Sequence, residues 1–271
     1  MTQPQVDLEA LKSRLKLTWM SGDYGTFAQP LLPGALEFLM RANVGPSERM
    51  LDVGCGAGQT AIPAAKAGVT VTGVDIATNL IEQARTRTQQ ESVEVRFEEG
   101  DAENLQFPDG SFDVVLSLFA AIFAPRPELV AHELTRVCRT GGRIVMGNWT
   151  PDGFIGRMFK VIGRHVPPAP MPSPMLWGQE DTVRERFGDR VRDLLLEHHP
   201  YPLKYAFLPE QVVEFFIQHY GPMDRAFASL DEAGQAALRR DLVALWSENN
   251  EAQDGTTLVQ SDMLIVQAVR A

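Results

Sequence analysis

Apolar residues along this chain keep two spacings in turn, and the alternation predicts the architecture. Short apolar runs at Met50–Val53, Val71–Val74, Val93–Phe97, Phe112–Ser117 and Arg143–Met146 read as buried strands. Segments with helical spacing separate them. Strands that alternate with helices require right-handed crossovers and hence a mainly parallel sheet. Two later runs, Val191–His199 and Leu258–Val269, read as final strands. The apolar ending Met263–Val269 follows a long helical segment and is expected to close the sheet antiparallel. Upstream, Leu8, Leu11, Leu15 and Trp19 predict a helix from Val6 to Met20. Pro33 is a natural starter for a second helix to Ala42, and Ser21–Gly25, with two glycines, is a turn.

The first strand breaks into glycines: Asp52-Val53-Gly54-Cys55-Gly56-Ala57-Gly58. Glycine at every second position lets backbone approach a ligand closely, because each removes a Cβ. Asp75 follows at the tip of the second strand, about 20 positions on, where a carboxylate can accept from a ribose diol. The combination predicts a site for an adenosine-type cofactor. A dinucleotide fingerprint would place its third glycine at position 59, which is Gln59, and no Lys-Ser/Thr pair follows to make a phosphate loop.

Gly54-x-Gly56-x-Gly58 preceded by Asp52 resembles motif I of the class I S-adenosylmethionine-dependent methyltransferases, in their small-molecule branch similar to the ubiquinone and menaquinone-biosynthesis enzymes. Further matches follow in order: Glu99-Gly100-Asp101-Ala102-Glu103, then Phe107–Ser117, then Arg136–Met146. The resemblance spans roughly residues 45 to 150. It implies S-adenosyl-L-methionine as cofactor, S-adenosyl-L-homocysteine as product, and a Rossmann-like, mostly parallel seven-stranded sheet with an antiparallel last strand. It further implies that Asp101 accepts from the adenine amino group and that the Ala102 backbone faces the ring. Asp52, Gly54 and Ser117 would surround the amino-acid end of the cofactor, and Tyr24 would contact its carboxylate. The cofactor set expected on this basis is Tyr24, Asp52, Gly54, Cys55, Gly56, Gly58, Asp75, Ile76, Asp101, Ala102, Glu103 and Ser117.

Composition narrows the acceptor. The 271 residues carry a formal net charge of −10, whereas a nucleic-acid substrate calls for a basic face. The densest arginine region, Arg184–Arg192, is interleaved with Glu185 and Asp189 and reads as a solvated helix face. The fourth strand runs into Ser117-Leu118-Phe119-Ala120, not the Asn/Asp-Pro-Pro-aromatic signature of nucleic-acid amino-methyltransferases. No stretch has the roughly 20 apolar residues of a membrane span, and the first residues lack the apolar centre of a signal peptide. Two cysteines, Cys55 in the glycine loop and Cys138 expected inside a helix, make neither a disulfide framework nor a metal cluster. The expected compartment is the cytoplasm and the expected partner a small-molecule acceptor, with no nucleic acid and no metal.

One methyltransferase domain is therefore expected, with a helical cap at 1–44, a cofactor core at 45–150, an insertion at 151–190 and C-terminal strands and helices at 191–271. The insertion holds five prolines in eight residues between Pro167 and Pro174, and that stretch forms neither regular helix nor central strand. Methionines and aromatics beside them suit an adaptable apolar wall, and the segment reads as a lid. Candidate acceptor walls are the N-terminal helices with Tyr24, then Phe119, Asn148, Trp149, Phe154, Met158 and Trp177. Tyr24 and His165 are the candidates for a base. Methyl transfer from a sulfonium needs mainly orientation and exclusion of water, so an obvious base is not required. The alternative function is a cofactor-binding protein without transfer activity, a sensor or partner subunit.

Overall fold

A computed structural model describes residues 7–271. Seven strands form one sheet in the order β3-β2-β1-β4-β5-β7-β6. They are β1 (Arg49–Val53), β2 (Thr70–Asp75), β3 (Arg96–Glu99), β4 (Phe112–Leu118), β5 (Cys138–Trp149), β6 (Val191–Tyr205) and β7 (Thr257–Arg270). The first five pair in parallel, while β7 runs antiparallel between β5 and β6. This is the α/β sheet the alternation predicts. Strand order reverses between β1 and β4, so the loops leaving their carboxyl ends diverge and leave a crevice. The core is apolar on both faces of the central strands, with Leu51, Val115, Leu116 and Ile144 fully buried.

The N-terminal cap consists of α1 (Leu8–Trp19), α2 (Tyr24–Phe27) and α3 (Leu32–Ala42). Asp7 starts α1 by accepting from the Ala10 amide at 3.1 Å. Val6, where the first helix was expected to begin, lies outside the described residues. The expected glycine turn holds only to Asp23, whose side chain accepts from Thr26 N and so caps α2 at Tyr24. Crossovers are supplied by α4 (Ala61–Lys66), α5 (Thr78–Glu91) and α6 (Pro127–Val137). Beyond β5 come α7 (Phe154–His165) and α8 (Glu180–Phe187), and between β6 and β7 lie α9 (Pro209–His219), α10 (Gly221–Ala228) and α11 (Glu232–Glu248).

Four expectations are corrected. Cys138 begins β5 and is not inside a helix, because α6 ends at Val137. The third strand starts at Arg96, since Ser92 ends α5 in a left-handed conformation and Val93 turns back to the Thr88 carbonyl. The sixth strand continues through Pro200 and Pro202 to Tyr205; proline lacks a donor, but an edge strand leaves alternate N–H groups unpaired anyway. Finally, Arg184–Arg192 is not one solvated helix face. Helix α8 stops at Phe187, Arg192 lies in β6, and Arg186 is buried with its guanidinium 4.5 Å from the Trp177 ring centroid.

Candidate active site

A cavity with about 1200 Å³ of open space, part of it continuous with solvent, lies where the loops after β1, β2, β3 and β4 converge. The glycine loop forms one wall because its conformation excludes side chains. Gly54 sits at φ +75°, and a Cβ there would lie 2.1 Å from the Ala120 Cβ. A Cβ on Gly56 would meet nothing nearer than Gln59 Oε1 at 3.4 Å and the Tyr24 ring at 3.8 Å, so its backbone faces open space. Gly58 serves packing instead. Its missing Cβ admits Ile62, which would lie 2.8 Å from one, and Gly58 does not line the cavity.

Three carboxylates face this space. Asp75, half-buried, accepts from Gly56 N at 2.9 Å and Ala77 N at 2.8 Å, which fixes it at the tip of β2. Burial raises its pKa, opposed by those amides. Asp52 is buried and accepts from the Thr60 hydroxyl; burial pushes its pKa up to about 7, and the nearby Asp75 adds to the rise. Asp101 holds the Glu103 amide at 2.9 Å on one oxygen and Lys12 Nζ at 2.5 Å on the other. Among the described residues that line the cavity, Lys12 is the one cation. The lining is therefore acidic, with spare acceptor lone pairs and a bare backbone loop, which fits a cationic nucleoside cofactor.

The opposite half of the cavity is aromatic. Phe119 follows β4 with φ +55°, an unusual conformation for a bulky residue and one that recurs at functional sites. Its ring stacks on Trp149 with centroids 3.5 Å apart and planes 5° apart, and Tyr201 meets both edge-on at 5.1 and 5.2 Å. Trp19, Tyr24, Leu31, Phe119 and Phe123 line both this cavity and a narrower apolar one that continues to Trp149, Ile155, Met158 and Tyr220.

The structure brings together most expected positions and separates the rest. Tyr24, Asp52, Gly54, Cys55, Gly56, Asp75, Ile76, Asp101 and Ala102 line the cavity. Ser117 does not: its hydroxyl donates to Val53 O at 2.7 Å and accepts from Ala121 N at 3.1 Å, so it ties β4 to β1. Glu103 is also outside the lining, gripped by Lys12 and by Arg126, whose amide and Nε lie 2.6 and 2.7 Å away.

The insertion is placed differently from a lid. None of residues 151–190 lines the larger cavity; Ile155 and Met158 reach the narrower one. Trp177 is buried against Phe187 and Arg186, and Phe154 against Trp246, so these rings serve the core. His165 Nε2 pairs with Asp241 at 2.8 Å, away from either cavity. Asn148 is fully buried and lines neither cavity, because its neighbours Gly147 and Trp149 take the face of β5 toward α3 and the Phe119 ring. Cover over the larger cavity comes instead from Lys12, Leu15 and Trp19 of α1. Lys12 and Tyr201 were not anticipated. Their signal was faint: Lys12 and Lys16 share a helix face, and Glu99, Asp101 and Glu103 alternate opposite them.

A glycine loop after β1, a carboxylate ending β2 and a crevice at the strand-order reversal define a nucleoside-cofactor domain. Residues 51–146 match the family model described as "Methyltransferase domain". An uncharacterised protein of Mycobacterium tuberculosis is 35% identical over 247 residues, covering 89% of this chain and 90% of that one. Among solved structures, the YcgJ protein of Bacillus subtilis superposes with a TM-score of 0.60 at 20% identity, over 87% of this chain and 97% of that one. Phosphoethanolamine N-methyltransferase 2 of Haemonchus contortus, in complex with S-adenosylhomocysteine, superposes with a TM-score of 0.57 at 20% identity, over 88% of this chain and 52% of that one. The chain belongs to the class I S-adenosylmethionine-dependent methyltransferases. Its cofactor is S-adenosylmethionine, and it is an enzyme of methyl transfer.

Proposed function

We propose that this enzyme methylates a largely hydrophobic, neutral or cationic small molecule, working mainly by positioning. The observation that carries this reading is one cavity with two unlike halves, a glycine loop with carboxylates on one side and stacked aromatic rings on the other. Asp75 holds the ribose hydroxyls, Asp101 accepts from the adenine amino group, and the Ala102 backbone faces the ring. Asp52, the Gly54–Gly56 backbone and Tyr24 surround the amino-acid end. The bound sulfonium supplies an activated methyl group for in-line displacement. Phe119, Tyr201 and Trp149 then fix the acceptor and keep water away. Among the described residues the cation lining the cavity is Lys12, already paired with Asp101 and Glu103, so a polyanionic acceptor would find no free cationic partner there. Two buried free thiols, Cys55 and Cys138, accord with a reducing cytoplasm. No helix among the described residues is long and apolar enough to cross a membrane.

Calorimetric titration with S-adenosylhomocysteine, followed by radiolabelled methyl transfer to a metabolite panel graded by charge and apolarity, tests the reading. Turnover should concentrate in uncharged and cationic apolar compounds. Cofactor binding with no transfer across the panel would favour a sensor or partner subunit, and turnover confined to polyanions would overturn the acceptor assignment.

A further inference from the structure

Helix α1 spans both halves of the cavity. Its cavity-facing residues Lys12, Leu15 and Trp19 are spaced three and four apart, one stripe of a helix. Lys12 stands at the adenine end and Trp19 at the aromatic end, seven residues or roughly 10 Å along the axis. At the first end, Lys12 Nζ lies 2.5 Å from both Asp101 Oδ2 and Glu103 Oε2, and Lys16 pairs with Glu99. Two lysines one turn apart are thus matched to three carboxylates of the segment leaving β3. Glu103 has a fully buried side chain also held by Arg126, so the latch closes onto a rigid post.

The rest of α1 is built to swing. Leu11 is its one buried residue, and Leu17 is 57% exposed. Its far end is pinned: a Cβ on Gly221 would sit 2.0 Å from the Thr18 carbonyl, and Asn79 donates to Met20 O at 3.3 Å. Trp19 packs edge-on against Phe123 at 4.9 Å and against Tyr220 at 6.0 Å. Gly22, at φ +73°, follows the pinned end immediately. A helix anchored at one end and held by ion pairs at the other can release that end at the cost of exposing one buried side chain, Leu11.

We infer that α1 is an ion-pair latch across the cofactor cavity: Lys12 and Lys16 hold it shut, it must release for cofactor to enter or leave, and its closure sets Trp19 in the acceptor wall. Lys12 and Lys16 are thereby positioning residues that tie cofactor occupancy to completion of the acceptor site. This rests on the assignment of the cavity to S-adenosylmethionine. A latch that is closed with and without ligand slows exchange in both directions, so its loss raises association and dissociation rates together.

Stopped-flow measurement of S-adenosylhomocysteine binding and release, in the full chain, tests this in Lys12→Met, Lys16→Met and Lys12→Arg. Lys16 does not line the cavity, so its variant separates latching from ligand contact. Both methionine variants should raise the two rates by roughly two- to fivefold while the dissociation constant moves less than twofold, and Lys12→Arg should restore slow exchange. Raising ionic strength from about 0.05 to 0.5 M should speed exchange in the parent and leave a variant carrying both Lys12→Met and Lys16→Met flat. Amide hydrogen exchange in the ligand-free protein should quicken within α1 alone. A weakened dissociation constant with an unchanged association rate would make Lys12 a simple ligand contact and overturn the latch. So would parent-like exchange in Lys16→Met, or a parent insensitive to salt. Failure of the parent to bind S-adenosylhomocysteine would instead strike the cofactor assignment.

Discussion

Asp52 gives the sharpest test of the site's electrostatics. The residue is 1% exposed, and its carboxyl takes a hydroxyl hydrogen bond from Thr60 and feels the charge of Asp75. Burial lifts it from an ordinary 3.8 to about 7 in the folded chain. A carboxyl raised on folding leaves the native state holding more protons than the unfolded one between those two values, so stability falls as pH rises through that window and is level above it. At 1.36 kcal/mol per pH unit the full window corresponds to about 4 kcal/mol. Asp52→Asn keeps the shape and can still accept from Thr60 through its carbonyl oxygen, but carries no charge. The ligand-free variant should therefore match the parent near pH 4 and exceed it by about 2–4 kcal/mol at pH 8, raising Tm by roughly 5–10 °C. Differential scanning fluorimetry across pH 4–8 reads this directly. Saturating S-adenosylmethionine should shrink the advantage, because a bound cation favours the ionised carboxylate that only the parent can offer. An equal Tm gain at pH 4 and pH 8, or a variant less stable at pH 8, would refute the reasoning.

Other outcomes follow from the same geometry. Asp75→Ala should weaken S-adenosylhomocysteine binding ten- to a hundredfold by calorimetry, the cost of about 1–3 kcal/mol for an unpaired diol; it should also lower Tm, since Gly56 N and Ala77 N lose their acceptor, and unaltered affinity would remove Asp75 from the site. Replacing residues 167–172 by a short Gly-Ser linker should keep cofactor affinity within about twofold and turnover within a few-fold, because none of them lines either cavity; abolished turnover would reinstate a lid there. Asn148→Leu should be neutral or stabilising in denaturant titration, as both amide atoms are buried without a partner, and a loss above about 1 kcal/mol would mean that the amide is hydrogen-bonded after all.

Local chemistry made much of this protein legible from its residues alone. The glycine loop, Asp75 and Asp101 are short-range features: a strand end, a tight turn and a carboxylate at fixed spacing carry their conformation with them, and Gly54, Gly56, Asp75 and Asp101 line the cavity. Alternating strand and helix patterns likewise dictate parallel crossovers, and an apolar last run dictates a strand. Long-range packing decided the rest. The proline-rich insertion looked like an apolar wall, yet Trp177 found a partner in Arg186, and Phe154 in Trp246, residues about 10 and 90 positions away. Ser117 sits at the motif position, but which groups its hydroxyl meets depends on how β4 lies beside β1. Tyr201, in a strand interrupted by prolines, enters the site because antiparallel pairing with β7 carries it across the sheet. Lys12 joins Asp101 across 89 positions of chain. Hydrophobic spacing states which face of an element is buried, and only the assembled sheet states what that face is buried against.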